Sequence, residues 1–254
     1  MRSLSIDRQQ GEAILGDLIT PEQWATCGPL IRAAREENIG FAMGGGLTFS
    51  AYSGNRRNTK DMDFFVLPRD HQRLLSIMAD LGFEEYREVP YDPTWSYRGH
   101  RNGFIVDLLW RMLNNRTIVD EEWVTRGWEV SINGVSFQLI SPEELLWSKL
   151  YILRRERCDW PDILGLLHAQ AGVMDWNHLL ARLGADAPVL GSVMALFRWL
   201  CPAQAVLLPP AVWERVGLSP ISVPGPLRLD PERLALFHAE DWFPGMEAAC
   251  VSEP

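Results

Sequence analysis

Two aspartates stand where a buried strand is predicted to begin. Asp61 and Asp63 lead directly into the apolar run Phe64–Leu67 in the stretch "DMDFFVLP". Side chains two residues apart on a strand point to the same face, so we expect the two carboxylates to project side by side. Ionised carboxylates at close range repel each other. A divalent cation relieves this repulsion, and Mg²⁺ is commonly held by one or two carboxylates plus substrate phosphates. The pair therefore favours a metal site for phosphate chemistry; the plain alternative is a solvated start of a strand.

A third aspartate, Asp107, lies within the apolar stretch "GFIVDLLW". A carboxylate inside an apolar strand needs a partner, or it must stay protonated at substantial cost. If its strand lies beside that of Asp61, Asp107 completes a three-carboxylate metal cradle. Alternatively, it forms an ion pair with a nearby arginine, for which the candidates are Arg98, Arg101 and Arg111.

Three consecutive glycines, Gly44, Gly45 and Gly46, follow a short strand candidate at Phe41–Met43. Glycines at such a place let backbone N–H groups approach phosphates closely. The stretch is not a Walker loop, because no Gly-Lys-Ser/Thr follows, and the dinucleotide fingerprint G-x-G-x-x-G fails at Phe49. Taken alone, the glycines indicate only a tight turn.

The order of these features is more specific than any one of them. A strand, the glycines, a short helix, a strand with Arg-x-Thr-x-Asp-x-Asp at its start and a later strand with a third Asp follow each other along the chain. This order resembles the nucleotidyltransferase superfamily that includes DNA polymerase β. It is most similar to the small bacterial branch of toxin-type and antibiotic-modifying enzymes. The residues that carry the resemblance are Gly44, Gly45, Gly46, Arg57, Thr59, Asp61, Asp63 and Asp107.

A later segment, "SPEELLWSKLYILRRERCDWPDILGLL", also resembles this family, and the whole resemblance covers roughly residues 38–167. Its matching points are Lys149, Arg157, Asp159 and Asp162. One departure is that the spacer between the glycines and Asp61 is slightly longer than the usual family pattern. It leaves open which two of the three glycines form the motif.

The resemblance implies transfer of a nucleoside monophosphate from an NTP to a hydroxyl group, with release of pyrophosphate and a requirement for Mg²⁺ or Mn²⁺. It implies that Asp61, Asp63 and Asp107 are the catalytic and metal-binding residues. Asp61 and Asp63 would hold two Mg²⁺ ions, or one ion plus the nucleotide's own, and Asp107 would bind the other metal and is also a candidate base. The nucleotide-binding residues that it suggests are Gly44, Gly45, Gly46, Thr48, Ser50, Arg57, Thr59 and Lys149. For Lys149, a solvated helix face is the alternative.

The acceptor is left open between a small hydroxylated molecule such as an antibiotic, a tRNA 3′ end and a protein hydroxyl. A net charge of −9 suits a small molecule, whereas Arg154, Arg155 and Arg157 provide either a local basic rim for a polyanion or a solvated run. Two other functions stay open. One is a glycosyltransferase that holds a nucleotide sugar through Asp-x-Asp, and the other is a non-catalytic nucleotide-binding regulator.

Composition and charge restrict the classes of protein to which the chain can belong. The chain has 254 residues, of which 47% are hydrophobic and 22% charged, as in ordinary globular proteins. Its acidic balance argues against a broad surface for duplex DNA. The four cysteines form no Cys-x-x-Cys pair, which favours reduced thiols and a cytoplasmic location. No signal-peptide run opens the sequence, and we expect no membrane span because no stretch approaches about 18 apolar residues.

The elements that must position these residues follow from local signals. Thr20, Pro21 and Gln23 predict a capped helix start, with a break or kink at Gly28-Pro29. Asn102-Gly103 and Asn133-Gly134 predict two β-hairpins. Ser141, Pro142 and Glu144 predict a second capped helix that runs through "YILRRER". The expected fold class is α+β (mixed α/β): a nucleotidyltransferase-fold domain with a small twisted mixed sheet at residues 1–140, then a helical domain at 141–254 that closes the cleft.

Overall fold

The computed structural model describes residues 5–57, 59, 61–112, 114, 116–221, 231–237 and 242–244. Two compact units share these residues. The sheet unit comprises Arg8–Ala51 and Arg56–Ser141, and the helical unit comprises the described residues of Met1–Asp7, Tyr52–Asn55 and Pro142–Pro254.

The sheet unit holds a five-stranded mixed sheet in the order β1-β2-β5-β4-β3 and a separate hairpin, β6-β7. Strand β2 runs parallel to β5, and the other neighbours are antiparallel. The strands are β1 (Phe41–Met43), β2 (Asp61–Val66), β3 (Glu84–Glu85), β4 (Ser96–Arg101), β5 (Phe104–Leu109), β6 (Glu129–Ile132) and β7 (Val135–Gln138). The first five helices are α1 (Arg8–Leu18), α2 (Pro21–Glu36), α3 (Gly45–Ser53, whose last two residues group with the helical unit), α4 (His71–Asp80) and α5 (Glu121–Thr125). This architecture confirms the predicted mixed sheet.

Both predicted hairpins form, because their Asn-Gly turns adopt the left-handed backbone that a tight two-residue turn requires. Asn102 and Gly103 have φ values of 53° and 84°, and they join β4 to β5. Asn133 and Gly134 have φ values of 49° and 74°, and they join β6 to β7.

Strand β2 is anchored by apolar side chains on both of its faces. Phe64 packs against Phe41, with 5.9 Å between the ring centroids, and Phe65 packs against Trp123 of α5 at 4.8 Å. The side chain of Val66 is fully buried. Burial at this end fixes the strand, so that its other end presents Asp61 and Asp63, which are only partly buried.

Helix α2 begins as predicted and continues through Gly28-Pro29 without a break. Thr20 accepts from the Gln23 amide, and Gln23 accepts from the Thr20 amide, which completes the capping box. The predicted break at Gly28-Pro29 is wrong, because the helix continues through Pro29 to Glu36. A proline inside a helix removes one hydrogen bond. The buried face that continues beyond it, with Leu30 and Ile31, offsets that loss.

The helical unit contains α6 (Pro142–Leu150), α7 (Trp160–Gln170), α8 (Trp176–Leu183), a 3-10 turn (Gly184–Asp186), α9 (Ala187–Leu200), α10 (Pro202–Ala205), α11 (Pro210–Arg215) and α12 (Pro231–Ala235). Helix α6 ends at Leu150 rather than running through "YILRRER", because the chain turns back and Leu153 pairs with Cys158. Glu144, which was predicted for the capping box, lies in the first turn of α6. It is fully buried, and its Oε1 lies 2.6 Å from His178 Nε2 and 3.2 Å from Arg182 Nε.

One stretch corrects the expectation about membrane spans. Trp176–Leu200 is long and apolar enough, by length and composition, to cross a membrane. In the structure it is two helices separated by the 3-10 turn at Gly184, where φ is 52°. Its side chains at Leu190 and Phe197 are fully buried within the protein.

Candidate active site

The three aspartates are brought to one face of the sheet by the register of β2 and β5. Asp63 and Asp107 are direct partners in this parallel pair, and Asp61 is the partner of Ile105. Neighbouring strands lie about 4.8 Å apart, and side chains at paired positions point the same way. Asp61, two residues before Asp63, shares their face. The strand of Asp107 therefore lies beside that of Asp61, which is one of the two arrangements that the sequence left open.

The other arrangement holds as well, because Arg98 pairs with Asp107 from the opposite side. Arg98 on β4 is the antiparallel partner of Asp107. Its Nε donates to Oδ1 at 2.7 Å, and its Nη2 donates to Oδ2 at 2.6 Å. The two side chains are only 20% and 11% exposed. The hydrogen bond with Asp107 raises the pKa of Arg98, and the charges of Asp61 and Asp63 add to this effect.

The three glycines differ in how much room their surroundings leave for a side chain. The Gly44 amide donates to the Asp63 carbonyl at 2.8 Å, and a Cβ at Gly44 would lie 2.3 Å from a ring carbon of Phe65. Gly45 has a φ of 63°, and a Cβ there would lie 1.8 Å from Asp63 Oδ2. At Gly46, the nearest atom to an added Cβ is in Thr59 at 3.5 Å, an ordinary contact. Gly44 and Gly45 are thus the two positions that require glycine.

Thr59 contacts an aspartate in this structure. Its hydroxyl donates to Asp61, with both Oδ1 and the carbonyl oxygen as acceptors. A hydroxyl has one hydrogen to donate, so this hydrogen is not available to a phosphate. Gln23, which the sequence marked only as a capping residue, donates from Nε2 to the Thr59 carbonyl at 3.1 Å. In this structure Thr59 therefore holds the Asp61 carboxylate.

Two other predicted phosphate contacts are corrected on the same ground. The Thr48 hydroxyl donates to the Met43 carbonyl at 2.9 Å, and the Ser50 hydroxyl donates to the Gly46 carbonyl at 3.0 Å. Both side chains are fully buried. Ser50 also accepts from the Arg57 amide at 3.2 Å, so it fixes the backbone of the loop before β2. Arg57 itself is exposed.

Lys149 lies in the helical unit, where the four residues of the later segment come together. Its Nζ lies 3.2 Å from Asp159 Oδ2 and 2.7 Å from Asp162 Oδ2, and its side chain is 8% exposed. Arg157 donates to both oxygens of Asp159 at 2.8 and 3.0 Å. Burial alone would raise the pKa of Asp159, but Arg157 and Lys149 outweigh it and lower that pKa. A solvated helix face is wrong for Lys149, and its two ion pairs argue against a direct phosphate contact.

The aspartates on this face meet only part of the requirements of a divalent metal site. Among the described residues, no three or more His, Cys, Asp or Glu side chains converge as ligands for one ion. The predicted three-carboxylate cradle is therefore not formed, because both oxygens of Asp107 accept from Arg98. Asp61 and Asp63 share a face at the start of β2, and two carboxylates are what Mg²⁺ needs when phosphate oxygens complete its shell.

One neighbour of the site was missed in the sequence. The Tyr86 amide donates to the Arg98 carbonyl at 2.9 Å, and the Tyr86 ring lies against His100, with 5.5 Å between centroids. The Tyr86 hydroxyl donates to Glu88 at 2.8 Å. The stretch "FEEYREV" shows only loose alternation, so its place next to Arg98 depends on a register that no local signal reveals.

Solved structures with similar folds are nucleotidyltransferases at low identity. A nucleotidyltransferase-like antigenic protein from Paracoccidioides brasiliensis has a TM-score of 0.50 and 20% identity, over 78% of this chain and 99% of that one. The antibiotic-resistance factor ANT(2'')-Ia has a TM-score of 0.40 and 20% identity, over 70% and 91%. The lincosamide antibiotic adenylyltransferase LnuA has 0.40 and 18%, over 58% and 96%. Of these three, only the Paracoccidioides brasiliensis structure reaches a TM-score of 0.50, and at 20% identity its likeness shows the fold alone.

The family comparison is more extensive. Residues 27–200, more than half of the chain, match the family described as uncharacterised nucleotidyltransferase. No curated protein matches the chain. The matched range includes the glycines, the three aspartates of the sheet and the Lys149 cluster. The chain belongs to this family of uncharacterised nucleotidyltransferases.

Proposed function

We propose that this protein transfers a nucleoside monophosphate from an NTP to a hydroxyl group, with release of pyrophosphate and a requirement for Mg²⁺ or Mn²⁺. The observation that supports this most strongly is the pairing of Asp63 with Asp107 on adjacent parallel strands, with Asp61 on the same face. Such a transfer depends mainly on positioning the reactants and on stabilising charge, which carboxylates at the start of a buried strand are suited to do.

In this proposal, Asp61 and Asp63 would hold the divalent ion together with the nucleotide phosphates. When bound, the ion would polarise the phosphoryl oxygens and offset charge on the departing pyrophosphate. Thr59 keeps the Asp61 carboxylate in place through its hydroxyl. Gly45 lets the start of α3 pack directly onto Asp63.

The phosphates themselves would lie at the N-terminus of α3. The first amides of a helix have no carbonyl partner within the helix, and the helix dipole favours an anion there. Gly45 and Gly46 are partly exposed at this end, so phosphate oxygens can approach their backbone closely. The exposed Arg57 is the candidate cation of the loop before β2.

For the acceptor, we favour a small hydroxylated molecule that is neutral or cationic. The side chains beyond Arg98 are aromatic and acidic: Tyr86 lies against His100 and donates to Glu88, and Glu84 is exposed on β3. This rim would repel a polyanion, while an aromatic ring beside carboxylates attracts a cation. A tRNA 3′ end is the second candidate, because Arg154 and Arg155 are exposed in the helical unit.

The test is incubation with each NTP, labelled on the α-phosphate, with Mg²⁺ and one of two acceptor sets. One set is a panel of hydroxylated small molecules, and the other is bulk tRNA. We expect label transfer to the first set and pyrophosphate release in equal amount. Asp63→Asn is the matched control, and it should abolish transfer.

Two outcomes would change the proposal. Label on tRNA alone would select the second acceptor. No pyrophosphate with any NTP and either set would remove the transferase proposal. In that case, a parallel incubation with nucleotide sugars tests the glycosyltransferase alternative, in which Asp61 and Asp63 would hold the sugar's diphosphate through a metal. Binding of a nucleotide without turnover in either assay would favour a regulator.

A further inference from the structure

The Asp107 carboxylate is held differently from the other two carboxylates on its face. Arg98 donates one hydrogen bond to each of its oxygens, at 2.7 and 2.6 Å. Such a bidentate pair fixes the orientation of the carboxylate and neutralises its charge. A divalent ion at the same oxygens would lie against a guanidinium, so the two cations compete for Asp107.

The guanidinium is itself held in place. Arg98 and Asp107 are partners across the β4-β5 pair, so the strands fix the distance between their backbones. On the other side, the Arg98 carbonyl accepts from the Tyr86 amide at 2.9 Å. The Arg98 side chain is 20% exposed, so its charge is only partly screened by water. Separating Arg98 from Asp107 would therefore break a largely buried ion pair.

In the absence of nucleotide, the charges of this face favour a single divalent ion. Asp61, Asp63 and Asp107 with Arg98 leave two net negative charges, which one divalent ion neutralises. A second ion would give the face a net positive charge. Asp61 and Asp63 also act on Arg98, because their negative charges help to raise the pKa of its guanidinium.

We propose that Arg98 takes the place of a second divalent ion at Asp107, so that this protein binds one ion, through Asp61 and Asp63. Arg98 is then a positioning residue that keeps Asp107 out of the metal shell. This inference rests on the metal site of the proposed function, but it concerns the number of ions and not the transfer reaction.

The experiment counts Mn²⁺ ions bound to the full chain by electron paramagnetic resonance, which detects free hexaaqua Mn²⁺. The wild-type protein should bind one ion. Arg98→Met removes the guanidinium and keeps most of the aliphatic stem, and it should bind two. Arg101→Met on the same strand is the matched control, because it removes the same charge without touching Asp107, and it should bind one.

Two Mn²⁺ ions on the wild-type protein, or one on Arg98→Met with a native circular dichroism spectrum, would overturn the inference and leave the proposed function intact. No Mn²⁺ on any variant would also overturn the inference, whereas the proposed function is tested separately by the transfer assay. If Arg98→Met does not fold, Asp107→Asn gives the answer. At saturating Mn²⁺, this variant should still bind one ion if Asp61 and Asp63 hold it. Loss of that ion at saturation would contradict the inference.

Discussion

Replacing Gly45 with alanine should disable the site while leaving the protein folded. The added Cβ would lie 1.8 Å from Asp63 Oδ2 and 2.6 Å from Asp63 Cγ, so the carboxylate or the start of α3 must move. The φ of 63° adds a backbone cost of about 1–2 kcal/mol for a residue with a side chain. Displacing a catalytic group by about 1 Å costs roughly 100-fold in rate. We therefore expect a fall of at least this size in kcat/KM for NMP transfer.

Two other glycines separate the parts of this effect. Gly82 has a φ of 79° and nothing within 4 Å of an added Cβ, so Gly82→Ala carries the backbone cost alone. Gly46→Ala adds a methyl group in ordinary contact with Thr59, and alanine favours the helix by about 1 kcal/mol. Urea unfolding should show a loss of about 1–2 kcal/mol for Gly82→Ala and a larger loss for Gly45→Ala, because only Gly45→Ala adds a clash with Asp63. Only Gly45→Ala should lose activity.

The assay is pyrophosphate release under saturating Mg²⁺, with the three variants measured beside wild type. If Gly45→Ala keeps more than about half of the wild-type kcat/KM, it has lost less than about 0.5 kcal/mol of transition-state stabilisation. That result would show that the Asp63 carboxylate does not need the space left by Gly45. An equal loss of activity in Gly82→Ala would also contradict the prediction, because that residue makes no contact with the aspartates.

Three further predictions concern other contacts. Thr59→Val should lower kcat/KM about tenfold, because a lost hydrogen bond to a charged group corresponds to about 1.5 kcal/mol. Thr59→Ser keeps the hydroxyl and should retain the rate, so equal rates for the two variants would contradict this role of Thr59. Glu144→Leu should destabilise the protein by about 3–5 kcal/mol in urea unfolding, because it leaves His178 and Arg182 without their buried carboxylate. A loss below about 1 kcal/mol would show that the contacts of Glu144 with His178 and Arg182 are not needed for stability. Burial lowers the pKa of His168 to about 4, so the folded state keeps this residue neutral while the unfolded chain is protonated below about pH 6.5. The free energy of unfolding should then fall by about 2 kcal/mol between pH 7 and pH 5, and His168→Gln should remove that slope; an unchanged slope in the variant would exclude His168 as its source.

The features that sequence predicts well are those with a local physical cause. The two Asn-Gly hairpins follow from the need for a positive φ at both turn positions, and the apolar run after Asp63 predicts a covered strand. The start of α2 follows from its capping box. Each of these depends on a few neighbouring residues, so the rest of the fold changes little about them.

The features that the sequence predicts poorly depend on partners far away in the chain. For Asp107, sequence offered a metal cradle or an arginine partner. The register of β4, β5 and β2 puts Arg98 on one side and Asp63 on the other, so both neighbours are present. Glu144 has the spacing of a capping residue, but its contact with His178, 34 residues further along the chain, has no local signal.

Hydroxyl groups were misassigned for a related reason. Thr48 and Ser50 lie close to the glycines in sequence, which suggests phosphate contacts. Inside a helix, however, a Ser or Thr side chain can donate to a carbonyl of the preceding turn. Ser50 does so to Gly46, and Thr48 donates to Met43 just before the helix.

NMP transfer by this protein is tested most directly by its stoichiometry, measured for the wild-type protein and for Asp63→Asn. With a labelled NTP, Mg²⁺ and a hydroxylated small-molecule acceptor, we expect one pyrophosphate released for each NMP attached to the acceptor. Asp63→Asn should lower this rate by at least about 100-fold while its unfolding midpoint stays near that of wild type. Transfer at the wild-type rate in Asp63→Asn would show that Asp63 does not hold a catalytic ion.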